Sequence, residues 1–220
     1  MKNNINIIDY SEYWERCWEE EKPEELFSYL EGWNGHKALE MDVFKNHGVR
    51  KVCDAACGFG AHTVALASNG FEVSAFDVSE RAVKLTTEGL KKYGYTGTAV
   101  KKAEITATGY EEESFDAVTA YAVIDHLTEA DSKKAVAELM RIIKPGGLLL
   151  LSFDRPEEDD SLCEHDILPD GSMIYSGDSS RAGMIFRPHD GEKIEALILG
   201  YQCINRWTDG KGGQVVIIAK

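Results

Sequence analysis

The sequence predicts a doubly wound α/β fold, a mostly parallel sheet with helices on both faces and an antiparallel hairpin at its C-terminus. Three observations carry this expectation. From residue 50 onward, short apolar runs alternate with amphipathic helical segments, the pattern of parallel crossovers. The apolar runs do not alternate with polar residues, as befits strands buried on both faces. The last two runs are separated only by the Gly-rich stretch Asp209–Gly213, which suits a hairpin.

Residues 1–47 read as a helical cap. Tyr10, Tyr13, Trp14 and Trp18 recur at spacings of three and four and share one helix face, with Glu12, Glu15, Glu19, Glu20 and Glu21 interleaved. Pro23 starts a second helix with Leu26, Phe27 and Leu30 on its apolar side. A third, Lys37 to Asn46, carries Leu39, Val43 and Phe44 and stops at Gly48.

Residues 48–153 form the core. Strands are expected at Lys51–Ala55, Phe71–Phe76, Gly97–Lys101, Phe115–Ala120 and Leu148–Phe153, the last entered through a Pro145-Gly146-Gly147 turn. Helices are expected at Thr63–Ser68, Glu80–Tyr93 and Ala130–Ile143, the last with Ala135, Val136, Leu139, Met140 and Ile143 on one face. Residues 154–186 interrupt the rhythm as an insertion, acidic at Glu157–Asp160 and then Gly-rich. Within it Ser172–Tyr175 and Gly183–Phe186 are expected to pair across Ser176–Arg181. Residues 187–220 supply a helix at Gly191–Leu199 and the closing strands Tyr201–Trp207 and Gln214–Ala219. With no internal repeat, linker or low-complexity segment, the 220 residues read as one domain.

Composition narrows the partners. Hydrophobic residues make up 43% and charged residues 28%, ordinary for a globular chain. The formal net charge is −14, the wrong sign for neutralising phosphates, and the pairs Lys91-Lys92, Lys101-Lys102 and Lys133-Lys134 are scattered. No nucleic acid and no anionic membrane surface is therefore expected as a partner. Apolar runs such as Leu148–Leu151 are far too short to span a bilayer, and Met1–Tyr10 lacks a signal-peptide pattern. Five scattered cysteines imply no disulfide framework and hence a reducing, cytoplasmic setting. Cys53 and Cys57 resemble half a zinc site, but no second pair follows, so no metal is expected.

The chemistry concentrates where the first strand of the core runs into Asp54-Ala55-Ala56-Cys57-Gly58-Phe59-Gly60. Gly58 and Gly60 project no Cβ, so a ligand can approach the backbone, and the following helix offers unpaired N–H groups. Ligands of open α/β sheets bind outside the carboxyl ends of the strands. A dinucleotide fingerprint would place a third glycine where Thr63 stands. Asp54 before the glycines suits a ligand bearing an ammonium better than a pyrophosphate. Asp77, ending the second strand, can accept from ribose hydroxyls, and reads also as a turn former or helix-terminal residue.

These residues together resemble the class I S-adenosylmethionine-dependent methyltransferases of the small-molecule type. The Asp54–Gly60 segment is similar to that family's first motif, with Ala56 where the family has its first glycine. The resemblance implies that Asp77, with Val78 beside it, is the ribose-binding acid. It implies that Glu104 and Ile105, ahead of Ser114-Phe115-Asp116, hold the adenine, Glu104 replacing the more usual Asp. Tyr121 to Leu127 resembles the exit of the fourth strand, where Tyr121 lines the cofactor site, and Pro145-Gly146-Gly147 resembles the turn into the fifth. The resemblance covers residues 35–153. It implies a seven-stranded sheet with one antiparallel strand, S-adenosyl-L-methionine as cofactor, and methyl transfer to nitrogen, oxygen or sulfur of a small-molecule acceptor. The competing readings are a non-catalytic domain that binds the same donor and an NAD-dependent oxidoreductase, the latter opposed by Thr63.

A general base is required only for an acceptor protonated at working pH. The candidates are His126, Asp125, His165 and His189. His126 follows the fourth strand, where the methyl group should emerge, and reads equally as a base or a packing residue. His165 and Arg187 are candidate acceptor contacts; His165 reads more readily as part of a solvated loop, and Arg187, which suits a carboxylate, reads equally as a surface residue. Tyr13, Trp14 and Trp18, with Tyr10, suit a cationic acceptor or the sulfonium, and equally the plain packing of a helix.

Overall fold

The computed structural model describes residues 9–25, 28, 39–155, 157 and 162–220. Helix α1 (Tyr10–Glu19) begins behind Asp9, whose carboxylate accepts from the Ser11 N–H at 2.9 Å. Leu26, Phe27 and Leu30, which define the expected second helix, lie outside the described residues. Helix α2 (Leu39–Asn46) buries Met41, Val43 and Phe44.

The core then alternates β1 (Lys51–Ala55), α3 (Ala61–Ser68), β2 (Glu72–Asp77), α4 (Glu80–Lys92), β3 (Ala99–Lys102) and β4 (Phe115–Ala120). A single 3₁₀ turn, Ile124–His126, leads to α5 (Glu129–Ile142) and β5 (Ile143–Phe153). The insertion holds β6 (His165–Ile167), β7 (Met173–Tyr175) and β8 (Ile185–Phe186). Helix α6 (Gly191–Leu197) and strands β9 (Gln202–Thr208) and β10 (Gln214–Ala219) complete the chain.

Seven strands form one sheet in the order β3-β2-β1-β4-β5-β10-β9. Strands β1 to β5 pair in parallel, and β10 runs antiparallel to both β5 and β9. The order reverses at β1, so β1 and β4 flank the switch point where open α/β sheets bind ligands. Alternate residues of the central strands face opposite layers. Leu149 and Leu151 join α5 and α6 in one cluster, while Leu148 and Leu150 join α2 and α3 in the other. Each such fully buried leucine contributes about 1.5–3 kcal/mol, which explains why these strands read as unbroken apolar runs.

Two elements differ from the sequence reading. The insertion is a three-stranded antiparallel sheet, because His165–Ile167 pairs with Met173–Tyr175. The first of its strands, His165-Asp166-Ile167, has only three residues, too few to show a period. The Pro145-Gly146-Gly147 segment does not precede the fifth strand but bulges from within it. Phe115 pairs with Ile143 and Ala117 with Leu148, so two steps along β4 match five along β5. A Cβ on Gly147 would lie 2.6 Å from both the Asp116 carbonyl and the Ile143 Cγ2, so only glycine fits this bulge. Gly147→Ala should lower stability by about 1–3 kcal/mol, read as a reduced urea midpoint with an unchanged slope.

Candidate active site

The crevice at the switch point is built on tight backbone. Ala56, Gly58 and Gly60 all have positive φ (55°, 54° and 89°). For Ala56 this is an uncommon conformation, and it stands where the related motif carries glycine. Gly58 is required for a second reason: a Cβ there would meet Cζ2 of Trp18 at 2.9 Å. The indole of Trp18 therefore lies directly over the turn, 5.9 Å from the Phe59 ring. Helix α1 is docked in this position partly through Glu15, which accepts from the Arg81 N–H at 3.4 Å.

Beneath the turn, Asp54 is 1% exposed. It accepts from the hydroxyls of Thr63 at 2.6 Å and Thr119 at 2.8 Å, and one of its oxygens lies 3.3 Å from Nδ1 of His62. Nε2 of His62 lies 3.3 Å from Glu40 on α2, also buried. Burial opposes a charge on His62, but hydrogen bonds and attraction from Asp54 and then Glu40 outweigh it and push its pKa up to about 9. The lone pairs of Asp54 are thus turned inward, onto β4 and α3, under the glycine turn.

Asp77 is arranged differently. One oxygen accepts from the Gly58 N–H at 2.8 Å and the other from the Ser79 N–H at 2.9 Å. The Val78 N–H also favours the ionised form, and a carboxylate with about four acceptor sites keeps room for a further donor. Burial pushes its pKa up to about 6 despite the bonds from Ser79 and Gly58. Asp77 also adjoins the next segment, since its carbonyl accepts from the Ala103 N–H at 2.9 Å. Glu104 beyond it is exposed, while Val78 and Ile105 are half-buried. Tyr121, leaving β4, is half-buried with its ring 5.1 Å from that of His62.

The other end of the crevice contains His126. Its Nδ1 lies 3.0 Å from the carbonyl of Ile185, an acceptor, so Nδ1 carries the proton and Nε2 of the neutral ring keeps a lone pair. Trp14 packs edge-on against this ring at 4.9 Å, with Trp18 stacked beyond it at 6.2 Å. Tyr13 is buried against Tyr175, Met184 and Phe186 of the insertion. The structure thus brings Trp14, Trp18, His126 and the glycine turn together in one row. His165 stands further out, its ring 5.8 Å from Tyr175 and its Nδ1 2.7 Å from the Cys163 carbonyl.

Arg187 is 7% exposed, with Nη1 2.9 Å from Nε2 of His189 and Nη2 3.8 Å from Glu129. His189 in turn approaches Asp125 at 2.7 Å with both side chains fully buried. This chain ends on the residue before His126, so Arg187, His189 and Asp125 brace the 3₁₀ turn that holds it.

Sequence reasoning did not find His62, Glu40, Thr63 and Thr119, because nothing in their spacing pairs them. It also passed over Asp154, although an acid directly after an apolar strand had already singled out Asp77. Asp154 follows β5 and is exposed, and its N–H donates to the second oxygen of Asp125 at 2.6 Å.

Comparison with known proteins bears on the family and the fold. The family of the "Methyltransferase domain" matches residues 53–151, from β1 through most of β5. This match is consistent with the class I S-adenosylmethionine-dependent methyltransferase family. Among curated methyltransferases, the chain is 28% identical over 164 residues to the glycine/sarcosine N-methyltransferase of Aphanothece halophytica, covering 72% of this chain and 61% of that one. It is 27% identical over 211 residues to a ubiquinone/menaquinone biosynthesis C-methyltransferase of Edwardsiella ictaluri, covering 88% and 83%. The chain thus spans less than two thirds of the first relative's length. In fold, it is similar to the 1,6-didemethyltoxoflavin-N1-methyltransferase of Burkholderia thailandensis, with a TM-score of 0.64 at 14% identity over 90% of this chain and 86% of that one. No helix among the described residues is long and apolar enough to cross a membrane.

The His62 cluster has a consequence for stability. Its pKa is raised above the unfolded value of 6.5, so its contribution is full below about pH 6.5 and lost as pH rises through about 9. Denaturant titrations at pH 6 and pH 9.5 should differ by about 3 kcal/mol from this group. The difference should shrink in His62→Gln.

Proposed function

We propose that this methyltransferase transfers a methyl group from S-adenosyl-L-methionine to a nitrogen, oxygen or sulfur atom of a small-molecule acceptor. The observation that carries the proposal is Asp77: a buried strand-end carboxylate held by backbone N–H groups, that of Gly58 in the turn among them, with acceptor capacity for a further donor. A ribose hydroxyl supplies such a donor.

In this reading Ala56, Gly58 and Gly60 shape the turn at which the donor binds, Gly58 beneath Trp18 and Gly60 against Thr86, and Asp77 with Val78 holds the ribose. Glu104 and Ile105 flank the adenine, and Tyr121 lines the donor's other side. Asp54 works from below, fixing the turn through Thr63 and Thr119 rather than by an open edge of its own. The bound donor supplies a methyl group already activated on a sulfonium sulfur. The residues of the chain then have three tasks. The strand ends orient the acceptor, a contribution of roughly 7–11 kcal/mol in favourable cases. Trp14 and Trp18 exclude water above the turn. Nε2 of His126 takes a proton from an acceptor that carries one.

The division of labour follows the chain, as one domain. Residues 1–47 cap the crevice, 48–153 hold the donor, 154–186 wall the acceptor side and 187–220 complete the sheet. The acceptor is a metabolite rather than a nucleic acid, since the net charge of −14 repels phosphates.

Calorimetry with S-adenosylhomocysteine and with NAD tests the donor: only the former should bind. Asp77→Ala should weaken that binding more than tenfold while the protein stays folded; an unchanged dissociation constant sinks the ribose role. Ribose hydroxyls donate to the ionised form of Asp77, so binding should weaken as pH falls through about 6 and release a proton near that pH. Binding heats in buffers of differing ionisation enthalpy read this directly. With a protonated acceptor, His126→Gln should lower kcat about 10²–10⁴-fold and leave the donor's affinity intact.

A further inference from the structure

We propose that the acceptor is an amine that enters as its ammonium ion, with Asp154 as the carboxylate that receives it and Trp14 as the aromatic surface beside it. The proposal rests on the methyltransferase reading and names the acceptor class of that same site.

The first observation is connectivity. The Asp154 N–H is bonded to Asp125, the residue preceding His126. The His126 ring touches Trp14, Trp14 stacks on Trp18, and Trp18 covers Gly58. A chain of contacts therefore links the donor turn to the backbone at the end of β5, where Asp154 is exposed and its charge reaches His126. Aromatic faces attract cations, and the attraction grows when water is excluded.

The second observation is the sign of the local field. Of the groups whose charges reach Asp154, Asp125 and Asp209 are carboxylates, Lys211 is the cation and His126 is titratable. Although the residue is exposed overall, partial enclosure of its carboxyl and then the charge of Asp125 push it up from its usual range, offset in part by His126 and Lys211, an offset to which an ammonium would add. Arg187, the nearest buried cation to the 3₁₀ turn, faces His189 and Glu129 and so does not compete for Asp154. A negatively charged acceptor would meet repulsion here, and a neutral one would leave Asp154 only partly compensated.

The third observation is where the proton goes. An ammonium has no lone pair and must lose a proton before it can react. The Ile185 carbonyl fixes the proton of His126 on Nδ1 and leaves Nε2 as the basic atom. The N–H bond of the ammonium breaks, its proton passes to Nε2, and the electron pair stays on nitrogen as the reacting lone pair. The products of this step are a neutral amine and an imidazolium, with charge conserved. Asp154 then stands beside that imidazolium and stabilises it.

The test does not depend on finding the physiological acceptor. Choline serves as a fixed cationic probe, and 3,3-dimethylbutan-1-ol as its neutral isostere. Each is titrated into protein saturated with S-adenosylhomocysteine, and binding is read from tryptophan fluorescence and calorimetry. Choline should bind at least tenfold more tightly than the alcohol, and Asp154→Asn should erase most of that preference without changing the affinity for S-adenosylhomocysteine. Equal binding of the two probes, absence of choline binding, or a preference that survives in Asp154→Asn overturns the proposal. Failure of S-adenosylhomocysteine to bind at the outset is a different result and removes the methyltransferase reading itself. Turnover adds a second readout, in which Asp154→Asn should raise KM for amines more than tenfold with a smaller effect on kcat.

Discussion

The buried carboxylate of Asp54 is the point on which the crevice depends. It lies at the end of β1, and its partners come from every element that must stay in place for the glycine turn to exist. Thr119 belongs to β4, Thr63 and His62 to α3, and Glu40, one residue further, to α2. A carboxylate removed from water is costly unless its lone pairs are occupied. Here the occupying groups are two hydroxyls and an imidazole, itself shared with a second acid. Any shift of α3 against β4 would leave buried acceptors unpaired, at about 1–3 kcal/mol each or more for charged groups. The rigidity of the turn thus comes from below, while the indole of Trp18 lies over its upper surface.

The same residue type stands at three strand ends, and burial assigns it three roles. Asp54 is sealed in and fully engaged by the protein. Asp77 is buried and engaged by backbone N–H groups, with acceptor capacity to spare. Asp154 is exposed on its open side, with its backbone tied to Asp125. The sequence marks all three alike, as acids at the carboxyl end of an apolar run. What separates them is the number of donors the fold supplies, and that depends on residues far away in the chain.

This explains which parts were legible from residue order. The alternation of strands and helices, the hairpin of β9 and β10, and the turn between β1 and α3 are all local patterns, and their boundaries agree within a few residues. Non-local features were hidden. The bulge at Pro145-Gly146-Gly147 depends on the backbone of Asp116, and β6 exists only because Met173–Tyr175 lies beside it. The same holds at the site. Glu40 reads as one more charge on a helix start, yet it is 3% exposed and directed at His62. Arg187 reads as a surface cation, yet it is enclosed against His189.

The position of α1 connects these layers to the chemistry. Its aromatic face was ambiguous in sequence, since packing and ligand recognition call for the same residues. In the fold the face is divided. Tyr13 is buried against the insertion and Tyr10 donates to Asp131 at 2.8 Å, so both anchor the helix. Trp14 and Trp18, one turn apart, bridge His126 and Gly58. The anchoring pair fixes where the bridging pair must lie, and the bridging pair spans the gap between the donor turn and the basic nitrogen. A helix that belongs to neither layer of the sheet thus sets the separation between the two halves of the crevice, and a shift of α1 would alter both halves together.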